Sequence, residues 1–472
     1  EKAFSISNRC EIGTVTLDDP IQIKKALEKD TLDEWKKIEV NERGKILNLI
    51  ADDLENNPYE LIYFLINEAG KTIQNAIDEI REAVDFLRYY SSRSIELFNN
   101  KELNGPTGED NQMSFTPKGT FLCISPWNFP VAILIGQISA ALSCGNRVIV
   151  KPSEYSSILG YLVVKKFHDH GVPISALSLI LGDGLYGDFL TKIRPLHGVA
   201  FTGSLPTAKK IQANIIDNQN QIITLIAETG GVNTMIVDSS ALLEQVTDDV
   251  VRSAFDSAGQ RCSALRVLCV QEEIYDDLKD MIIGNMKIQT VGDPNFFDTD
   301  IGPIINDKAY KKLTSYISLC SEKGYKIHQL NQNVSDMHIA PTLIEIDSIS
   351  NITEERFGPI LHILKYSSNE IDELINQINK SEYGLTMGIH SRIEARADYM
   401  SSKSNVGNIY INRDMVGAVV GSQPFGGIGL SGSGFKAGGP NYLLQFVNEK
   451  VVSKNSVAFG GNTELLNIQE DT

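Results

Sequence analysis

A cysteine in a polar, small-residue segment is the first candidate for chemistry in this sequence. Cys262 lies in the run Ser257-Ala258-Gly259-Gln260-Arg261-Cys262-Ser263-Ala264-Leu265-Arg266. A thiolate attacks a carbonyl carbon once its pKa is lowered or a base stands near it. We expect the adjacent Arg261 and a position at the start of a helix to favour the thiolate. Alone, the segment has modest specificity, because most cysteines are small buried core residues.

Two further segments supply groups that a cysteine nucleophile needs. Glu228 ends an apolar run before Thr229-Gly230-Gly231, where its carboxylate would act as a general base with a pKa raised by partial burial. Asn128 follows another apolar run in the proline-stiffened loop Pro126–Pro130 and would donate its amide to a developing oxyanion. Taken alone, Asn128 is more simply explained as a turn residue and Glu228 as an acid that ends a strand. Their combination with Cys262 favours the catalytic interpretation.

A cofactor site is indicated at two other strand ends. Lys151 and Glu154 follow the apolar run 147–150, where they would hold ribose hydroxyls, and the acid disfavours a 2′-phosphate, which favours NAD over NADP. Gly203-Ser204 lies where a strand meets the first turn of a helix, a natural phosphate site. The segment is not a G-x-G-x-x-G fingerprint, because Leu205-Pro206 follows and Ala208 stands where a glycine would be expected.

The elements that position these groups alternate between strand and helix. Short apolar, β-rich runs lie at 119–124, 147–150, 177–181, 197–201 and 222–227, with helical segments at 135–143, 159–168 and 207–215. Strands that are apolar throughout and separated by helices predict a parallel, doubly wound α/β sheet covered on both faces. A second series of runs lies at 233–237, 266–270, 281–286, 360–366 and 386–390 and predicts a second α/β lobe.

The remaining stretches complete an expectation of two or three lobes for 472 residues. The first hundred residues predict helices, with an amphipathic face from Ala76 onward. The polar stretch 99–118 predicts a protruding hairpin or loop. The glycine-rich segment 421–439 is expected to return the chain to the crevice between the lobes.

Composition excludes several function classes. The formal net charge of −17 disfavours nucleic acid and anionic membrane surfaces as partners. No apolar run reaches the roughly 18 residues of a membrane span. The six cysteines form no CxxC pair, which favours a reducing, cytoplasmic location, and the seven histidines form no ligand cluster, so no metal is predicted.

The motifs around Asn128, Lys151, Gly203, Glu228 and Cys262, in this order along the chain, resemble those of the aldehyde dehydrogenase superfamily. The resemblance extends from Glu68-Ala69-Gly70-Lys71-Thr72 to the segment around Gly438-Gly439-Pro440. It implies two doubly wound α/β lobes and a small β-flap for oligomerisation. The implied domains are a Rossmann-like NAD-binding domain at 1–100 and 119–229, a catalytic domain at 230–430 and the flap at 101–118 and 441–455.

The resemblance also implies roles for individual residues. Cys262 resembles the nucleophile, Glu228 the base that activates the deacylating water, and Asn128, together with the Cys262 N–H, the oxyanion hole. The positions that resemble cofactor contacts are Ser125, Trp127, Lys151, Glu154, Gly203, Ser204, Glu355 and Phe357. Leu205 and Ala208 differ from the family pattern. The difference concerns how the cofactor phosphate is bound rather than which cofactor is used.

Within the superfamily, three segments look like the L-glutamate γ-semialdehyde (1-pyrroline-5-carboxylate) dehydrogenases, above all the carboxy-terminal part of the bifunctional proline utilisation A proteins. These segments are 255–266, 410–421 and Gln423-Pro424-Phe425-Gly426-Gly427. In that branch a loop binds the substrate's α-carboxylate through backbone N–H groups, which here match Gly417 and Ala418, helped by the Ser263 hydroxyl. Phe129 and Phe425 resemble an aromatic pair beside the substrate chain, although core packing is the commoner role of Phe.

The implied function is the NAD-dependent oxidation of L-glutamate γ-semialdehyde to L-glutamate in proline catabolism, through a Cys262 thiohemiacetal and thioester. Activity is expected to rise toward mildly alkaline pH, because Cys262 and Glu228 must both be deprotonated. The expected partners are the small-molecule substrate and further copies of the chain, in a homodimer or a higher oligomer. A fusion to a proline dehydrogenase, or an association with one, is left open.

Three alternatives compete with this function. A dehydrogenase for another acidic semialdehyde, such as succinate semialdehyde, would bind the carboxylate with side-chain cations, and Arg413 keeps this alternative open. A non-catalytic relative of the same fold is disfavoured because Cys262, Glu228 and Asn128 are all present. An acyltransferase-like relative would not need the base Glu228.

Overall fold

Two largely parallel sheets carry the fold. The computed structural model describes residues 2–17, 33–330, 337–352 and 354–459. Within these residues the strands pair into sheets of five, seven and three strands and two of two strands. The five- and seven-stranded sheets correspond to the two lobes that the alternating runs predict, so the expected fold class is confirmed.

Helices fill most of the first hundred residues, after a short hairpin of β1 (Lys2–Phe4) and β2 (Glu11–Thr14). The helices are α1 (Asp33–Lys37), α2 (Val40–Asn56), α3 (Tyr59–Asn67) and α4 (Ile73–Leu97). Gly70 turns the chain between α3 and α4 with a φ of 68°, a left-handed conformation that glycine adopts without steric cost. The Thr72 hydroxyl then accepts the Asn75 N–H and caps α4.

The polar stretch that follows is a hairpin, as predicted. Strand β3 (Lys101–Leu103) pairs antiparallel with β4 (Glu109–Pro117). The far side of β4 pairs with a nine-residue strand near the end of the described chain, Val447–Asn455, which completes the three-stranded flap.

The first parallel sheet carries strands β5 to β9 in the spatial order β7-β6-β5-β8-β9. Its strands are β5 (Thr120–Ile124), β6 (Arg147–Lys151), β7 (Leu177–Leu179), β8 (Gly198–Gly203) and β9 (Thr224–Thr229). Its helices are α5 (Ala132–Ser143), α6 (Ser157–Asp169), α7 (Gly184–Leu190) and α8 (Leu205–Asn218). Apolar clusters pack on both faces of the sheet, one of them shared with α2 to α4, which explains why its central strands are apolar throughout.

The second sheet contains seven strands in the order β12-β13-β14-β11-β10-β16-β17, and β12 pairs antiparallel at one edge. Its strands are β10 (Thr234–Val237), β11 (Val267–Gln271), β12 (Ile327–Gln329), β13 (Thr342–Glu345), β14 (Ile360–Tyr366), β16 (Thr386–His390) and β17 (Asn408–Ile411). Its helices are α9 (Leu243–Phe255), α10 (Tyr275–Met286), α11 (Asp307–Glu322), α12 (Ile371–Lys380) and α13 (Glu394–Lys403).

Short elements connect these layers. Strand β15 (Tyr383–Gly384) pairs with β18 (Ile428–Gly429), and the flap strand Val447–Asn455 is β19. Short 3₁₀ turns lie at Glu154–Ser156, Asp256–Gly259, Glu272–Ile274, Ile349–Asn351, Ser368–Glu370, Tyr442–Phe446 and Ser456–Phe459.

One predicted strand is wrong. The run 281–286 forms the end of α10, not a strand. Its buried residues continue the helical spacing of Leu278, Ile282 and Met286, a period that a short apolar window does not reveal. In the part of the chain that the structure describes, no helix is long and apolar enough to cross a membrane.

We expect Asn146 to be a stability determinant of the first lobe, because its amide joins three separate segments. The side chain is fully buried, accepts the Gly119 N–H and donates to the carbonyls of Ala141 and Phe446, at 2.8, 3.1 and 2.9 Å. Asn146→Ala should lower the free energy of unfolding by about 3 kcal/mol, because the Gly119 N–H loses its acceptor and the carbonyls of Ala141 and Phe446 each lose one of two donors.

The measurement is thermal unfolding followed by circular dichroism. Asn56→Ala is the control, because among the described residues that exposed amide donates to the Asp52 carbonyl of its own helix and to no other group. Equal melting temperatures for the two variants would contradict the role of Asn146.

Candidate active site

A cavity of about 420 Å³ receives side chains from both lobes, a size within the usual range of small-molecule sites. The predicted site residues that line it are Trp127, Asn128, Gly203, Ser204, Cys262, Glu355 and Phe357. Residues that the sequence analysis did not select also line it, among them Lys312 and Tyr383.

Cys262 lies in a tight turn between the 3₁₀ turn Asp256–Gly259 and strand β11. The expectation that it begins a helix is wrong, because the chain enters the sheet directly. The Asn233 amide holds the turn by donating to the carbonyls of Cys262 and Ala264, at 2.6 and 2.9 Å. Cys262 is therefore positioned by side-chain hydrogen bonds to the backbone of its turn rather than by a helix.

Strained backbone precedes the cysteine. Ser257, Ala258 and Gly259 all have positive φ, of 52°, 54° and 64°. At residue 259 a Cβ atom would lie 2.2 Å from the carbonyl oxygen of Gly358, so only glycine fits there. Non-glycine residues in this conformation cost free energy and are retained where the surroundings impose them. Here they bring the Cys262 turn against the segment around Gly358.

The Cys262 thiol is held in its neutral form. Burial raises its pKa to about 12, and the carboxylates of Glu355 and Glu228 add to this effect. The Ser263 N–H and the Arg266 guanidinium oppose it. Arg261, expected to be the activating cation, instead pairs with Asp256 at 2.8 Å.

Arg266 is the main residue that sequence reasoning missed at this site. Its guanidinium is 1 % exposed and pairs with Glu355 at 3.0 Å. It also donates to the carbonyls of Gly259, Gly358 and Arg261. The only sequence signal was an arginine at the start of an apolar strand, where a buried cation requires partners.

Glu228 lies at the end of β9, as predicted, and its carboxylate faces the glycine-rich segment. Its Oε2 accepts the Gly427 N–H at 2.9 Å. Burial raises the pKa of Glu228 to about 8, although this N–H and Lys436 oppose the shift. A carboxyl group with such a pKa can exchange protons near neutral pH, which a general base requires.

The glycine-rich segment meets the strand that carries Glu228 directly. The Thr229 N–H donates to the Ser431 carbonyl at 2.9 Å, and the Ser431 hydroxyl donates to the Gly230 carbonyl at 2.9 Å. The prediction that residues 421–439 return to the crevice between the lobes is therefore confirmed.

Asn128 is buried and presents its amide at the cavity wall. Its Nδ2 donates one hydrogen to the Gln260 carbonyl at 3.0 Å, and the amide carries a second hydrogen. The loop that bears it is held by Glu79, whose Oε1 accepts the N–H groups of Val131 and Ala132 at 2.8 and 3.2 Å. The rigidity expected from the prolines is thus reinforced by a carboxylate from α4.

Phe129 lies on a buried ion pair beside this loop. Lys71 Nζ is 2.7 Å from Glu79 Oε2 and 3.8 Å from the centroid of the Phe129 ring. Phe425 lies in the glycine-rich segment 421–439, where its backbone hydrogen-bonds to that of Ala437 in the same segment. Neither ring is among the residues that line the 420 Å³ cavity.

The junction of β8 and α8 offers a site for a phosphate. Ser204 precedes the fourteen-residue helix α8, and its hydroxyl bonds to the Thr207 hydroxyl at 2.9 Å instead of capping a backbone N–H. Leu205 and Pro206 of the first helical turn line the cavity, so the positive end of the helix dipole lies beside it. Pro206 has no N–H, so the backbone donors of this turn come from its other residues. This set of donors fits an anionic group of a dinucleotide.

The other predicted cofactor residues lie partly at the cavity and partly outside its lining. Lys151 is buried at the end of β6, 3.8 Å from the half-exposed Glu154 carboxylate, and both lie outside the cavity lining. The buried Ser125 hydroxyl has no hydrogen-bond partner among the described residues. Glu355 and Phe357 lie at the cavity, where the Phe357 ring meets Trp127 edge to face at 5.6 Å. Together these polar and aromatic groups fit a dinucleotide.

Residues 415–418, which we term the anchor loop, present unused backbone donors. Met415 and Val416 donate to Ser253 and Asp414, whereas the N–H groups of Gly417 and Ala418 donate to no described residue. Gly417 has a φ of 76°, and a Cβ there would meet nothing within 4 Å. The loop therefore leaves two adjacent donors that could bind an anion.

The arrangement combines a thiol, an amide donor, a carboxyl group that titrates near neutral pH and an anion-binding helix start. Such a set suits covalent addition of the thiol to a carbonyl carbon and, once a hydride or a leaving group has departed from the adduct, hydrolysis of the resulting thioester. Among the described residues, no cluster of three or more His, Cys, Asp or Glu side chains could hold a metal ion.

Comparison with known proteins identifies the relatives of the chain. The profile described as "Aldehyde dehydrogenase family" matches residues 3–452. A protein named 1-pyrroline-5-carboxylate dehydrogenase from Oceanobacillus iheyensis is 34% identical over 467 residues, which cover 96% of this chain and 90% of the relative. The structure of a mutant of the Thermus thermophilus 1-pyrroline-5-carboxylate dehydrogenase superposes with a TM-score of 0.91, at 30% identity, over 96% of this chain and 90% of that one.

Higher identity is found with longer proteins. The bifunctional protein PutA of Klebsiella aerogenes is 45% identical over 437 residues, or 90% of this chain and 32% of the relative. The chain thus spans about a third of the length of these bifunctional relatives.

The electrostatics of the cysteine predict its reactivity toward alkylation. Because the Glu228 carboxylate opposes ionisation of Cys262, Glu228→Gln should speed alkylation of Cys262 by iodoacetamide by about 3- to 10-fold. The gain should be larger above pH 8 than below it, since Glu228 carries its charge only above its pKa of about 8.

The rate at each cysteine is measured by mass spectrometry of peptides. The exposed Cys10 provides the internal control, because its alkylation should not change. A gain that is constant across the pH range would contradict the assignment of the effect to the Glu228 charge.

Proposed function

The chain belongs to the aldehyde dehydrogenase family, and we propose that it oxidises L-glutamate γ-semialdehyde to L-glutamate with NAD, as a step of proline catabolism. The family resemblance indicated by the motifs is thereby confirmed. The substrate is proposed because relatives named 1-pyrroline-5-carboxylate dehydrogenase match nearly the whole chain and because the anchor loop offers free N–H donors. Those donors carry the proposal, since they suit a carboxylated aldehyde.

In the proposed mechanism the Cys262 thiol, which is neutral at rest, loses its proton to water, and the thiolate sulfur then forms a bond to the aldehyde carbon. The oxygen becomes an oxyanion, which accepts hydrogen bonds from the free hydrogen of the Asn128 amide and from the Cys262 N–H. Donors that are already fixed before the reaction stabilise developing charge most effectively. Asn128 suits this role because the Gln260 carbonyl and the loop held by Glu79 fix its position.

Glu228 is proposed to act after oxidation, on the Cys262 thioester. Its carboxylate takes a proton from water as the water oxygen bonds to the acyl carbon, and the carbon–sulfur bond then breaks to release a carboxylic acid. The raised pKa of Glu228 makes it a stronger base than an exposed carboxylate. The presence of this base favours hydrolysis over transfer to another acceptor.

Members of the family generally use NAD or NADP, and we propose NAD for this chain. When bound, the nicotinamide supplies the acceptor for the aldehyde hydride. The start of α8 and Ser204 would hold the pyrophosphate, and Lys151 and Glu154 the adenosine ribose. The Glu154 carboxylate supports the choice of NAD, because it would repel a 2′-phosphate. Trp127, Glu355 and Phe357 would contact the nicotinamide end.

The substrate carboxylate is proposed to bind to the N–H groups of Gly417 and Ala418, with the hydroxyl of Ser263. The rival acid, succinate semialdehyde, would call for a side-chain cation, and Arg413 was the candidate. Its guanidinium instead donates to Asp414 and lies 5.2 Å from the centroid of the Tyr410 ring. This engagement disfavours Arg413 as the carboxylate ligand. Phe129 and Phe425 are proposed to flank the aliphatic chain of the substrate.

We also propose the domain division and assembly that the resemblance implies. Residues 1–100 and 119–229 would bind NAD, 230–430 would supply the nucleophile, and 101–118 with 441–455 would join copies of the chain. The exposed outer edge of β19 supports the last role, since an unpaired edge strand is a pairing surface.

A fusion to or association with proline dehydrogenase is supported by the names of the bifunctional relatives. The six free cysteines support a reducing, cytoplasmic location.

Substrate selectivity tests the proposed function. NADH formation, followed by absorbance, should be much faster with 1-pyrroline-5-carboxylate than with succinate semialdehyde or propanal. Cys262→Ala should lower the rate by roughly 1,000-fold or more, because the nucleophile is lost. Cys10→Ala, at an exposed cysteine, is the matched control and should keep full activity. Turnover of propanal without turnover of pyrroline-5-carboxylate would refute the carboxylate site.

The pH profile tests the role of Glu228. Because the folded pKa of Glu228 is raised to about 8, the base form is scarce at lower pH, and hydrolysis should accelerate as the pH rises through about 8. Single-turnover measurements of thioester hydrolysis provide the rate. Glu228→Gln should be slow and nearly independent of pH over the same range. A variant with the wild-type profile would show that another group acts as the base.

A further inference from the structure

Two hydroxyl groups hold the anchor loop from its buried side. The Met415 N–H donates to Ser253 Oγ at 2.9 Å, and Tyr410 Oη donates to the Gly417 carbonyl at 3.2 Å. Ser253 and Tyr410 are only 3% and 5% exposed, so water does not compete effectively for these bonds. Neither residue is among those that line the cavity.

Ser253 also holds the chain segment that follows the nucleophile. Its carbonyl oxygen accepts the Leu265 N–H at 2.9 Å, three residues beyond Cys262. One residue in the last turns of α9 therefore binds the nucleophile segment through its backbone and the anchor loop through its side chain. Any shift of the anchor loop relative to Cys262 must break or stretch the bond to Ser253.

Tyr410 links the same two parts of the site. It lies on β17, shortly before the anchor loop in the chain, and its phenol is close enough to Cys262 for the cysteine to oppose ionisation of the phenol. Burial raises the pKa of Tyr410 to about 12, so the phenol remains a hydrogen-bond donor at neutral pH. The Gly417 carbonyl points at this donor, which directs the peptide units of the loop.

The geometry of the loop matters because its proposed ligand groups are backbone N–H groups. A side-chain cation can follow a displaced carboxylate by changing its rotamer, but a backbone N–H moves only with the loop. In a substrate with an aldehyde and a carboxylate, the length of the carbon chain limits the distance that the two groups can span. The separation of Cys262 from the loop therefore decides which span fits.

We propose that Tyr410 and Ser253 are positioning residues that fix the anchor loop relative to Cys262 and thereby set the preference for a carboxylated aldehyde. This inference rests on the proposed function and extends it to two residues outside the cavity lining. It distinguishes the anionic substrate from uncharged aldehydes, which need no anchor.

Removal of the tyrosine hydroxyl is the first test. Tyr410→Phe should lower kcat/KM for glutamate γ-semialdehyde by about tenfold, mainly through KM, because the Gly417 carbonyl loses its buried donor. The value for propanal should stay within about twofold. Tyr366→Phe is the matched control, since that buried hydroxyl donates to the Val237 carbonyl at the same 3.2 Å, away from the loop. It should leave the ratio of the two substrates unchanged.

The serine hydroxyl is tested in the same way. Like Tyr410→Phe, Ser253→Ala should lower the ratio of kcat/KM for glutamate γ-semialdehyde to kcat/KM for propanal, because the buried Met415 N–H loses its acceptor. The control is Ser139→Ala, which removes a buried hydroxyl that bonds to the carbonyl four residues earlier, at 2.6 Å, as the Ser253 hydroxyl also does within α9. Melting temperatures of all four variants separate loss of selectivity from loss of folding.

Hydrogen exchange provides a readout that needs no substrate. The Val416 N–H is hydrogen-bonded to Asp414. It should exchange faster in Tyr410→Phe and Ser253→Ala than in the wild type and the two control variants, because the loop opens more often. Equal losses for both aldehydes, or an unchanged ratio with unchanged Val416 exchange, would overturn the inference. If the wild type does not prefer the semialdehyde to propanal, the proposed function fails, and Val416 exchange alone then decides whether the two hydroxyls position the loop.

Discussion

The buried guanidinium of Arg266 is the interaction on which the candidate site depends. It pairs with Glu355 and donates to two carbonyls, that of Gly259 before the Cys262 turn and that of Gly358 in the segment that carries Glu355. A buried cation without such partners would be severely destabilising, so the segments that supply them must meet as the protein folds. Their meeting brings the Cys262 turn against Glu355 and Phe357, and the strained backbone before Cys262 allows the close approach to Gly358.

The same packing sets the electrostatics of the cavity. A thiol and two carboxyl groups share a poorly solvated space, in which burial raises the pKa of all three and the two carboxylates further oppose the ionisation of the thiol. Glu355 is partly compensated by Arg266 and by the Gly231 N–H, whereas Glu228 has the Gly427 N–H and the charge of Lys436 nearby. The site thus keeps its proposed nucleophile, Cys262, protonated near neutral pH, while the proposed base, Glu228, titrates close to that range.

Much of the framework could be predicted from the sequence, because strand and helix periodicity are local properties. The parallel sheets, the hairpin near residue 110 and the returning glycine-rich segment were all expected. The run at residue 281 was misassigned because its apolar residues belong to a longer helical face that begins at Leu278. Adjacency in the sequence was also a poor guide at Cys262. The neighbouring Arg261 was expected to act on the thiol, but it pairs with Asp256.

The sequence by itself determined the chemical groups available: a cysteine among small polar residues, acids and an amide at strand ends, and glycines where chains approach closely. It determined them because residue type and local periodicity need no long-range contact. Only the tertiary structure decided which groups act on one another. Arg266 and Glu355 are 89 residues apart, and Ser253 and Met415 are 162 apart, yet each pair is in direct contact. Charge interactions and pKa shifts depend on distance and burial, which exist only once the two lobes have packed together.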